Sequence, residues 1–107
     1  QAGRGRFALG AYKGSRKGWQ PQGPGRVVSL EALTAEAQGP AVVCGEFSAE
    51  EIQKMKDAGI RLASPAASVR RPAVLAELAW ARWQAGDVDD EASLAPIYLH
   101  TDGSPPA

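Results

Sequence analysis

Apolar and polar positions alternate at the start of the chain. In "RFALGAY", Phe7, Leu9 and Ala11 share one face and Ala8, Gly10 and Tyr12 the other, the period-two pattern of a half-buried strand. "KGSRKGW" then predicts a turn, with Gly14 and Gly18 able to adopt positive φ, so the opening reads as a hairpin. In "QPQGPG", Pro21 and Pro24 withhold backbone donors, which ends the second strand near Gln20 or confines it to an edge. Because the alternation is under way by Phe7, a further segment is expected before Gln1.

"RVVSLEALTAEA" predicts a short strand that becomes a helix at Ser29, whose hydroxyl caps the amides that follow; Leu30, Leu33 and Ala37 fall on one side, and Gly39-Pro40 ends it. "AVVCG" is an unbroken apolar run between Pro40 and Gly45 and predicts a central strand covered on both faces, with Cys44 inert inside it. "SAEE" is a capping box from Ser48 to Glu51, opening a helix that carries Ile52 and Met55 inward and stops at Gly59. "IRLAS" predicts another extended segment and "PAASVRR" a loop.

The most informative helix is "PAVLAELAWARWQAG", with Pro72 at its first position and Gly86 just past its end. Its apolar residues do not form a single stripe. Leu75, Leu78 and Ala79 mark one side and Ala76, Trp80 and Trp83 another, while only Glu77, Arg82 and Gln84 are polar from 73 to 84. A helix apolar around most of its circumference has to be buried on more than one side, and a domain of this size covers one. The full order predicts an α/β fold, a mixed sheet with an N-terminal antiparallel hairpin, parallel crossovers and flanking helices. It occupies residues 1–100, and "TDGSPPA" at 101–107 reads as a disordered tail.

Composition narrows the class without naming a chemistry. At 107 residues, 44% hydrophobic and 22% charged, the chain is expected to be one soluble domain, with no apolar run long enough for a membrane span. One cysteine allows no internal disulfide and no signal peptide is recognisable, which points to the cytoplasm. The zero net charge conceals an asymmetry: residues 1–30 hold six Lys/Arg and no Asp/Glu, whereas 87–91 read "DVDDE". Arg4, Arg6, Lys13, Arg16, Lys17 and Arg26 are therefore candidate RNA contacts, beside the bland reading of solvated loop charges.

Enzyme signatures are sparse. His100 is the sole histidine, which excludes a multi-histidine metal site in this chain and makes a Ser-His dyad a poor reading. "GRG" and "GPG" are not phosphate loops, since neither joins a buried strand to a helix and no lysine-serine pair follows. "DVDDE" lacks the spaced ligands and turn glycine of a calcium loop and reads as a solvated acidic loop. No catalytic residue, cofactor or metal is expected.

Four motifs in order carry a resemblance. "QAGRGRFA" resembles the strand "DARRGEVY" that opens the second lobe of the TsaB (YeaZ) family, bacterial proteins of tRNA threonylcarbamoyladenosine biosynthesis long labelled glycoprotease homologues. Val43-Cys44-Gly45-Glu46 resembles that family's "V-x-G-[DE]" strand end, "RPAVLAELA" its "P-x-A-x-x-LA-x-LA" helix, and "PIYLH" its "P-x-Y-L-R" strand. Gln1, Gly3, Arg6 and His100 depart from the family's residue types.

The resemblance implies the second lobe of a ribonuclease-H-like, actin-like ATPase superfold, non-catalytic, working with TsaD-like and TsaE-like proteins in threonylcarbamoyl transfer to adenosine of tRNA. The first lobe of the same subunit would cover the second apolar side of the last helix through Leu75, Ala76, Ala79, Trp80 and Trp83. In isolation that patch should drive self-association. Two other readings stay open: a peptidase or small-molecule kinase lobe of the same superfold with its active residues split between lobes, and direct contact with tRNA through the basic residues.

Overall fold

The computed structural model describes residues 1–99. His100 and the tail expected to be disordered lie outside the described residues. The described chain contains β1 (Arg6–Leu9), β2 (Tyr12–Ser15), β3 (Gly18–Pro21), β4 (Arg26–Ser29), α1 (Leu30–Glu36), α2 (Ala49–Asp57), a 3-10 turn (Pro65–Ser68) and α3 (Pro72–Gln84). They divide into two compact units, Gln1–Ser68 with Leu99, and Val69–Tyr98.

The first unit begins as a ribbon in two stretches. β1 pairs antiparallel with β4, Phe7 opposite Val28 and Leu9 opposite Arg26; β2 pairs antiparallel with β3, Tyr12 opposite Pro21 and Gly14 opposite Trp19. The strand expected to run unbroken through Tyr12 is therefore interrupted at Gly10 and Ala11. Those two residues face the four of Gln22–Gly25, an unequal count that no regular ladder accommodates, and Pro24 has no N–H to offer. One bond, Gln22 N–H to Ala11 C=O at 2.8 Å, spans the break. The tip at Arg16–Lys17 takes its handedness from Gly18 (φ 91°), while Gly14, the other glycine expected to turn, lies within β2.

α1 starts where its cap predicts, with Ser29 Oγ accepting from Ala32 N–H at 3.2 Å, and it turns Leu33 and Ala37 into the core. α2 carries the full capping box: Ser48 Oγ accepts from Glu51 N–H (3.2 Å) and the Glu51 carboxylate accepts from Ser48 N–H (2.7 Å). Met55 is fully buried and Ile52 half-buried, as the helical spacing requires. The core is Phe7, Leu33, Ala37, Met55 and Ile60, closed by Val28, Val43, Phe47 and Leu62. Phe7 and Phe47 meet with ring centroids 5.4 Å apart.

The expected central strand and mixed sheet are absent from the described residues. In their place a parallel bridge, Val43 with Leu62, pairs the segments on either side of α2, through Val43 N–H to Arg61 C=O (2.9 Å) and Ala63 N–H to Val43 C=O (2.8 Å). Val42 is 55% exposed, so the run is not covered on both faces, and Cys44 is exposed rather than buried. The Cys44 thiol donates to Ala67 C=O at 3.2 Å. The fold is mixed α and β, with two small antiparallel sheets and three α-helices among the described residues. None of those helices is long and apolar enough to cross a membrane.

Candidate functional site

α3 dominates the unit Val69–Tyr98. Pro72 starts it at a position that needs no N–H, and a run of Ala, Leu, Glu, Arg and Trp propagates it with no interior glycine. It ends in a Schellman arrangement: Gly86 takes φ 72°, its N–H bonds Trp83 C=O at 3.0 Å, and Asp87 N–H bonds Arg82 C=O at 2.9 Å. Arg82 then locks the exit. Its Nε donates to Asp87 Oδ2 (2.9 Å) and its Nη2 to Asp87 Oδ1 (3.2 Å) and Asp89 Oδ1 (3.4 Å). The hydrogen bond from Arg82, then its charge, holds the Asp87 carboxyl below its usual range, and the same pairing raises Arg82. Half of the "DVDDE" acidity, expected to be simply solvated, thus neutralises the one cation of α3.

What remains on the helix is apolar and uncovered. Trp80 and Trp83, three residues apart on one side, stack with ring centroids 4.9 Å apart at 30°. Ala76 sits a turn before Trp80, and Leu75 and Ala79 continue the surface toward Leu78. Leu75 is 70% exposed, Trp80 60% and Trp83 58%. The expectation that one side of this helix packs within the domain is corrected: every residue from Val69 to Tyr98 is exposed, so this unit has no core. Ile97 and Tyr98, in the segment "PIYLH" expected to be a strand, are exposed too, and no strand forms over 96–99.

Such a surface suits binding. Each large apolar side chain moved out of water contributes about 1.5 to 3 kcal/mol, and a stacked tryptophan pair presents broad area at small entropic cost. Glu77 and Gln84 are its only other polar side chains from 73 to 84. Among the described residues no group of three or more His, Cys, Asp or Glu side chains converges to hold a metal.

The basic candidates separate. Arg26 pairs with Glu36 through Nη1 and Nη2, linking β4 to α1, and is not a free cation. Arg6 begins β1 half-buried, and Arg4 sits in the left-handed region (φ 54°) between Gly3 and Gly5. Lys13, Arg16 and Lys17 fall together on the exposed β2–β3 hairpin, beside Trp19 and Tyr12. Charge counting alone does not reveal that aromatic pair, because the face they share is set by the strand register. Comparison with family models, with curated proteins and with solved structures gives no match to this chain.

Proposed function

We propose that the chain is a non-catalytic binding lobe whose working surface is α3, and that it serves as the second lobe of a TsaB-like subunit supporting threonylcarbamoyl transfer to tRNA with TsaD-like and TsaE-like partners. The observation that carries the binding role is the exposed run Leu75, Ala76, Ala79, Trp80 and Trp83 on a unit with no buried residue of its own. Uncovered, Trp80 and Trp83 together with Leu75 and the neighbouring Leu78 forfeit several kcal/mol against a typical domain stability of about 5 to 15 kcal/mol. In this reading the apolar surface of the first lobe covers them, and the ribonuclease-H-like architecture is completed by that union. The order and spacing of the four motifs support the TsaB-like assignment.

A chimera tests it. This chain, joined as second lobe to the first lobe of a TsaB-family subunit, is expected to sustain tRNA threonylcarbamoylation when mixed with TsaD and TsaE, and the Trp80→Glu/Trp83→Glu form to lose it. A folded chimera without transfer activity contradicts the assignment.

A further inference from the structure

We propose that the β2–β3 hairpin is a docking surface for single-stranded nucleic acid, bases stacking on Trp19 and Tyr12 and phosphates meeting Arg16, Lys17 and Lys13. Tyr12 opposite Pro21 and Gly14 opposite Trp19 are alternate pairs, so these four residues share one face of the ribbon. Gly14 offers no side chain there, and the benzo carbons of Trp19 lie 3.6 to 3.9 Å from where its Cβ would be. The indole thus rests over backbone with its outer side in water, 75% exposed, and Tyr12 lies in the same way beside Gly10, 62% exposed. Two aromatic rings on one open face form a platform that any base can stack on.

The charge is complementary. Arg16 and Lys17 form the tip, Lys13 sits on the opposite face opposite Gln20, and no carboxylate occurs anywhere in residues 1–30. Arg26, engaged by Glu36, lies beyond the break in the ribbon. An anionic membrane is the other surface that attracts cations and tryptophan. Tyr12–Pro21 contains no Val, Ile, Leu, Met or Phe, so the hairpin has no aliphatic wedge to insert into hydrocarbon, and bases are the better match. Nothing here uses residues 69–98, so failure of the α3 reading leaves this one standing, and the reverse.

The test is fluorescence anisotropy of the full chain with a labelled 12-nucleotide oligouridine, a duplex RNA of equal length, and phosphatidylserine vesicles. Single-stranded binding is expected, falling with salt at a log-log slope of about −1.4 to −2, the value for two to three phosphate contacts. Trp19→Ala is expected to weaken it about fivefold or more, Trp19→Phe to restore most of the loss, and R16E/K17E to abolish both affinity and salt dependence. The circular dichroism of every variant should match the parent. No binding, a Trp19→Ala variant that binds as well as the parent, equal affinity for the duplex, or preference for the vesicles each overturns the proposal.

Discussion

Single residues decide where the helices begin and end. Ser29, Ser48, Gly59 and Gly86 act on amides and carbonyls within a few positions of themselves, so their roles are readable without knowing the rest of the fold. Ser48→Ala removes the acceptor for Glu51 N–H while keeping the backbone N–H that donates to the Glu51 carboxylate, so one half of the box is lost. A loss of about 1 kcal/mol is expected in urea unfolding, with Ser48→Asp retaining most of the stability. An unchanged midpoint for Ser48→Ala would show that the box is ornamental. Cys44 illustrates the reverse case. Its apolar neighbours suggest burial, but burial depends on what covers the run, and the thiol is left exposed against Ala67 C=O.

Between elements, legibility depends on sequence distance. α1, α2 and α3 could be read locally, whereas the partner of β1 is β4, which lies beyond an entire inserted hairpin. Alternation in "RFALGAY" carries no mark of the break after Leu9, because the break comes from two residues facing four. Nor does "AVVCG" reveal that a single parallel bridge replaces a ladder, since a strand covered on both faces needs neighbours the described residues do not provide.

The Arg26–Glu36 pair between β4 and α1 was equally hidden, ten residues apart across an element boundary. It has a pH signature. Hydrogen bonding from Arg26 lowers the Glu36 carboxyl below its ordinary 4.5, and the Ser48 amide, then Gln1, lowers Glu51. Carboxyls lowered in the folded state contribute stability that is complete above the ordinary value and is lost as pH falls through the lowered one. The melting temperature is therefore expected to hold level from pH 7 to about 5 and to drop below that, the drop being smaller in Glu36→Gln. A melting temperature that rises on acidification contradicts the assignment of these pairs.

At the scale of the whole molecule, the chain joins a modest core in the first unit to a second unit that buries nothing. The all-round apolar character of α3 was legible in its sequence, because it is a property of one helix. The complete absence of internal cover was not, because that depends on where strands form, and none forms over 96–99. With every residue of its own unit exposed, α3 can be covered only by a surface from outside that unit. Sedimentation equilibrium across a hundredfold range of concentration, followed together with tryptophan emission, tests this most directly. Self-association with a blue shift, both removed by Leu75→Glu/Trp83→Glu, is the predicted result. A monomer at every concentration whose emission stays that of water-exposed indole would contradict it.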